Sequence, residues 1–186
     1  VKVKSELMGP DHTSVAYALS SLSMFLMDIR HDYVNAEPLL RKAFDVITKT
    51  LGPLHPTTGS LIDHLGHLMS WTDREDQAEE LFRESLQISR HVYGESVDTS
   101  QKINSLAMCL SQNGKLDEAE ELFKESYAML RKFRDATHPW AVSSRASLAI
   151  TLAKAGRLSA AETIFTEVNK IQKQEDNPKS LALVWF

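Results

Sequence analysis

Leu106-Ala107-Met108-Cys109-Leu110-Ser111-Gln112-Asn113-Gly114-Lys115-Leu116-Asp117-Glu118-Ala119-Glu120-Glu121-Leu122-Phe123-Lys124-Glu125-Ser126-Tyr127 is a helix, a tight turn and a second helix. Leu106, Ala107 and Leu110 share one face of the first helix. Leu116, Ala119, Leu122, Phe123 and Ser126 recur at three- and four-residue steps on the next. Gly114 is placed to end the first helix, because a residue without a β-carbon enters the left-handed region at little steric cost.

The same text returns along the chain. The alanine of each second helix falls at Ala36, Ala78, Ala119 and Ala161, and the leucine of each first helix at Leu22, Leu65, Leu106 and Leu148. Loop markers recur as Gly9-Pro10-Asp11-His12, Leu51-Gly52-Pro53-Leu54-His55-Pro56, Tyr93-Gly94-Glu95-Ser96-Val97 and Thr137-His138-Pro139. The period is about 42 residues. It predicts helices at about 13–29, 33–50, 57–71, 75–92, 97–113, 115–134, 139–155 and 157–174. Leu22 to Ala36 is one residue longer than its counterparts, so the turn Asp28-Ile29-Arg30-His31-Asp32 is expected to be irregular. The expected fold is all-α: a right-handed superhelix, or α-solenoid, of four antiparallel helix pairs with partial flanking helices. One repeat domain spans 1–178, with repeats at about 13–52, 56–93, 97–135 and 139–175. Residues 1–9 align with the tail of a second helix, and 179–186 (apolar from Leu181 to Phe186) form a partial helix that caps the stack or docks another chain.

Lys plus Arg at 21 against Asp plus Glu at 25 gives a net charge of -4, which argues against nucleic acid as the main ligand, since phosphate backbones need a basic face. No apolar run approaches the roughly 20 residues of a membrane-spanning helix, and residues 1–20 lack a secretory core. Cys109 is the only cysteine. The chain is therefore expected to be intracellular and cytoplasmic, with no membrane partner.

Leu-Ala-x-x-Leu, then Gly, then Leu-x-x-Ala-Glu-x-Leu-Phe-x-x-Ser resembles the tetratricopeptide repeat. Small residues at Ala107, Ala119, Ala149 and Ala161 let two helices approach, while Leu110, Phe123, Leu152 and Phe165 fill the space beside them. The ordinary repeat is about 34 residues. At about 42, with Gly-Pro-x-His or His-Pro in the loops, this one is similar to the variety found in kinesin light chains and nephrocystin-like proteins. The resemblance implies a non-enzymatic scaffold or adaptor whose first helices line a concave groove for a partner's segment. The implied groove residues are Tyr17, Ser20, Ser21, Met24 and Met27; Ser60, Asp63, His64, His67 and Trp71; Gln101, Asn104, Ser105, Met108 and Gln112; and Ser143, Ala146, Ser147, Ile150 and Lys154. Of the Asn-Asn pair frequent in kinesin light chains, only Asn104 is present here. Cations are sparse in this groove: Lys154, with Arg145 nearby.

An amide such as Asn104 or Gln101 can hold a peptide backbone by donating and accepting at once; the alternative is that it merely solvates a helix face. Met24, Met27 and Met108 offer either adaptable apolar pockets or core packing. Asp63, His64 and His67 are spaced for one helix face, yet no further metal ligand or protease signature accompanies them, and a polar groove wall is the expectation. No cofactor is expected. His12, His55 and His138 recur where a ring nitrogen can satisfy a helix end. Cys109 has no His or Lys nearby in sequence and reads as a packed side chain. Acidic runs at 73–76 and 118–121 fit solvated helix starts. The competing functional expectation is a structural subunit held through outer faces and stack ends, including self-association at those ends.

Overall fold

A computed structural model describes Leu7, Gly9 and residues 11–175. The expectations for residues 1–6 and for 179–186 lie outside the described residues. Eight α-helices follow one another among the described residues, with no strand. They are α1 (Thr13–Asp28), α2 (Tyr33–Leu51), α3 (Pro56–Ser70), α4 (Glu75–Tyr93), α5 (Val97–Gln112), α6 (Leu116–Phe133), α7 (Pro139–Lys154) and α8 (Leu158–Glu175). Every helix end falls within one residue of its expected position.

The helices start where the sequence provides acceptors for their free N–H groups. His12, His55 and His138 are the N-caps of α1, α3 and α7, and each Nδ1 accepts the backbone N–H two residues on, at 3.1, 3.1 and 3.3 Å. Ser96 and Asp32 cap α5 and α2, accepting the N–H three residues on, from Thr99 at 3.0 Å and Asn35 at 3.2 Å. Helices α4 and α6 have no capping side chain; Glu75, Asp76, Asp117 and Glu118 in their first turns oppose the positive end of the helix dipole instead.

The turns inside the helix pairs share one closure. Arg74, Lys115 and Arg157 donate their N–H to the carbonyls of Met69, Leu110 and Leu152, five residues back, at 2.9–3.0 Å. The position just before each donor takes a positive φ: Gly114, Gly156 and, without glycine, Asp73. In the first pair the extra residue lengthens the closure to six, Asp32 N–H to Leu26 O at 2.9 Å, with His31 at φ 51°. The irregular turn expected there is present.

The chain divides into two compact units, residues 1–94 and 95–186. In the first, α1 packs on α2, α2 on α3, and α3 on α4. Leu40, Ile47, Ile62, Leu68 and Phe82 are fully buried there. Burial of one such side chain stabilises by about 1.5–3 kcal/mol. Gly66 and Gly59 allow the close crossing of α3 with α4: a β-carbon at Gly66 would lie 2.8 Å from the Phe82 ring. Ser85 Oγ donates to Gly59 O across that crossing at 2.9 Å. The second unit pairs α5 with α6 and α7 with α8, with α6 against α7. It repeats the same contact, Ser126 Oγ to Ser100 O at 2.8 Å. Ala107, Ala119, Ala149 and Ala161 are buried as the helix-crossing role requires, and Phe123 fills the space beside them.

One space-filling expectation fails at the margin, and one repeat marker is exposed there. Phe165, the counterpart of Phe123, is 36% exposed against 1%, because α7 covers α6 whereas no described helix follows α8. Leu22, the counterpart of Leu65, is 39% exposed against 3%, because α2 lies against α3 and no described helix precedes α1. Phe25 and Ile29 extend that exposed stripe along α1.

Candidate protein-binding surface

Helices α1 and α3 touch in the first unit, and α5 and α7 in the second, so the expected groove residues form two patches on first helices. In the first patch Tyr17, Ser21 and Ser60 are exposed, and Ser20, Met24 and His64 are half-buried. Tyr17 Oη lies 3.4 Å from Thr57 Oγ1, joining α1 to α3. Trp71 is exposed at the end of α3, 5.8 Å from both the His67 and the Tyr33 ring, and His67 meets Phe82 edge-on at 4.9 Å. Trp71 and half-buried Tyr33 thus present an aromatic surface, with His67 resting on the buried Phe82 ring behind it; the sequence reading had singled out neither Tyr33 nor Phe82.

Asp63 and Met27 sit differently from the rest. Met27 is buried at 1% exposure, as the core-packing alternative has it, and does not line an open surface. Asp63 is buried too, with Oδ2 3.8 Å from His67 Nε2, one helical turn on. Among the described residues no group of three or more His, Cys, Asp or Glu is arranged to hold a metal ion.

In the second unit Met108, Gln112, Ser143, Ile150 and Lys154 are exposed, and Gln101, Asn104, Ser105, Ala146 and Ser147 half-buried. Met108, Gln112, Ser147, Ile150 and Lys154 converge with Phe123 on a hollow of about 180 Å³. Its polar frame is built: Ser111 Oγ and Thr151 Oγ1 are 3.0 Å apart, and Lys154 Nζ donates to Ser111 O at 3.3 Å. Asn104 Nδ2 donates to Met108 Sδ at 3.7 Å, while Asn104 Oδ1 is buried and accepts from no described residue. Arg145 belongs to another surface: its guanidinium lies 5.0 Å over the Tyr127 ring and pairs with Glu167, on the side facing α6 and α8. Cys109 is buried, with Asn113 Nδ2 3.8 Å from its sulfur.

The family model described as tetratricopeptide repeat matches at residues 14–91, 59–129 and 98–174, three overlapping spans that leave almost none of the described chain unmatched. The chain belongs to the tetratricopeptide repeat family. No curated protein matches it. Among solved structures, this tetratricopeptide repeat chain is similar to nearly identical TPR-like repeats of a kinesin light chain-like protein from Podosopora anserina. That likeness has a TM-score of 0.79 at 22% identity, covering 93% of this chain and 82% of that one. BtubC (BKLC) from P. vanneervenii superposes with a TM-score of 0.80 at 16% identity, over 90% of this chain and 66% of that one. MamA is more distant, with a TM-score of 0.62 at 16% identity, over 89% of this chain and 76% of that one. At these identities the likeness is one of fold. The tetratricopeptide scaffold also carries ion pairs that sequence reading missed. Arg74 grips Glu37 with Nη1 and Nη2 at 3.2 and 2.8 Å, and Arg157 pairs with Glu120 and, at 3.4 Å, with Asp117. Each links a turn to the second helix of the preceding pair, and the shared register of Glu37 with Glu120, and of Arg74 with Arg157, was the signal available. No helix among the described residues is long and apolar enough to cross a membrane.

Proposed function

We propose that the chain is a non-enzymatic scaffold that holds an extended segment of a partner protein on its first-helix faces. The observation that carries this reading is the α5–α7 hollow beside Asn104. A cleft of about 180 Å³ floored by Met108, Phe123 and Ile150 suits an apolar side chain of the partner. Asn104, half-buried beside Met108 and held only by a long contact to its sulfur, can turn its amide to accept a backbone N–H of the same segment, which would give its buried, unsatisfied Oδ1 a donor. Lys154 at the rim favours a carboxylate in the ligand. Replacing both Asn104 and Gln101 with alanine is the test, with a captured and identified partner as the readout. Binding weakened about 10-fold or more supports the groove, as expected for charge-neutral hydrogen bonds at a buried site. Retention at full affinity removes it in favour of attachment through outer faces. Cytoplasmic residence is part of this reading, and the single buried thiol suits a reducing compartment.

The exposed stripe Leu22-Phe25-Ile29 favours a second reading, in which the chain assembles end to end with a second copy of itself. Within the first unit the counterparts of Leu22 and Phe25 are Leu65 and Leu68, both buried. In this reading α1 of one copy takes the place against α8 of another that α7 takes against α6, covering Phe165. Sedimentation of Phe25→Asp and Phe165→Asp chains, alone and mixed, tests it: each alone stays monomeric and the mixture forms a dimer. A wild-type chain that is monomeric at every concentration sinks it.

A further inference from the structure

The loop from α6 to α7 departs from the other inter-repeat loops. Helices α2 and α4 end on Gly52 and Gly94, whereas α6 ends on Arg134 in extended backbone, φ -140° and ψ 157°. The chain from Arg131 to Asp135, with Thr137 and His138, then lines an open concavity of about 480 Å³.

Charge in this concavity is unbalanced. Lys132 is held by Glu95, with Nζ 2.6 and 2.8 Å from the two carboxylate oxygens. Arg131 and Arg134 contact only backbone carbonyls: Arg131 Nη1 donates to Arg134 O at 3.2 Å, and Arg134 Nη1 to Phe133 O at 3.4 Å. Neither forms an ion pair with a carboxylate of the described residues, Asp135 beside them included. By contrast Arg41, Arg74, Arg83, Arg145 and Arg157 each pair with a glutamate, as expected in a chain of net charge -4. A guanidinium carries five N–H donors, so both arginines keep most of theirs for a ligand. His138 adds another. Its Nδ1 accepts the Trp140 N–H at 3.3 Å, which in the neutral ring puts the proton on Nε2. Phe133, 45% exposed, provides an apolar surface beside these donors.

We infer that this concavity binds a phosphorylated segment of a partner protein, with Arg131 and Arg134 gripping the phosphoryl oxygens. Asp135 lines the same concavity without pairing with either guanidinium. A phosphomonoester, with a charge of roughly -1.5 to -2 near pH 7 and three acceptor oxygens, can take charge-assisted hydrogen bonds from both guanidiniums, whereas a carboxylate has one charge to share between them. Phe133 takes a neighbouring apolar side chain of the segment. The surface is separate from the α5–α7 hollow, so its ligand is independent of the groove reading.

Fluorescence anisotropy of the 186-residue chain with three labelled degenerate peptide pools, fixed at the centre as phosphoserine, serine or glutamate, tests the inference. The phosphoserine pool binds, and the other two bind at least ~10-fold more weakly. A double substitution, Arg131→Gln with Arg134→Gln, lowers phosphoserine binding by ~10- to 100-fold, the range of charge-assisted hydrogen bonds. Both side chains are exposed, and an unchanged circular dichroism spectrum shows the variant folded. Asn104→Ala with Gln101→Ala leaves phosphoserine binding intact. Equal binding of all three pools, no binding of the phosphoserine pool, or full affinity in the arginine double variant overturns the assignment.

Discussion

Single residues decide how closely these helices approach and where they begin. Gly66 is the clearest case, since any β-carbon there meets the Phe82 ring at 2.8 Å, inside the distance that packed atoms adopt. Gly66→Ala gains roughly 0.5–1 kcal/mol of helix propensity and loses more to overpacking, about 1–3 kcal/mol, so urea unfolding is expected to show net destabilisation. A variant as stable as the parent would mean that Phe82 moves aside freely. At the helix starts, His55→Ala removes the acceptor of the Thr57 N–H and is expected to lower stability by about 0.5–2 kcal/mol, with His55→Asn recovering most of it. Cys109, buried and beside Asn113, is expected to resist a water-soluble thiol reagent until the chain unfolds.

At the level of elements, the ion pairs between a turn and the preceding second helix are titratable. The hydrogen bond from Arg74 holds the Glu37 carboxyl below its usual range, Arg41 adds to this, and partial burial opposes it. A depressed folded-state value means the contribution is present above the ordinary carboxylate range and is lost as pH falls through the lowered one. The stability difference between the parent and Glu37→Gln is therefore expected to shrink on acidification from pH 6 to pH 3, followed by thermal melts. The pair is partly exposed, so it contributes on the order of 0.2–1 kcal/mol. These elements were legible in the sequence to different degrees. Helix limits could be read because alanine, leucine and glycine recur in register, and the capping histidines because they recur before Pro56, Pro139 and Thr13. Burial at the margins could not, because Leu22 and Leu65, or Phe165 and Phe123, are identical letters whose exposure depends on what lies against them. Pocket or core could not be decided for Met24, Met27 and Met108 either, and burial differs among them: Met27 is buried, Met24 half-buried and Met108 exposed.

Over the whole molecule, stability should follow neighbour contacts, since each helix pair of a repeat protein buries its apolar face on the next. Exposed Leu22, Phe25 and Ile29 on α1 and Phe165 on α8 mark the least covered helices, while α3 and α6 are covered by neighbours on more than one side. Amide hydrogen exchange is expected to be faster in α1 and α8 than in α3 and α6. Equal protection in all four would mean that α1 and α8 are covered in solution by another chain or copy. The first inner turn carries another implication. Asp32 closes on Leu26 over six residues where the other turns close over five, yet α1 and α2 still pair and both keep their caps. One added residue has been absorbed without shifting the register of either helix. The inner turns are thus the places where this architecture accommodates changes in chain length, and an epitope or protease site inserted at residues 29–31 would report on the fold while leaving its helix pairing undisturbed.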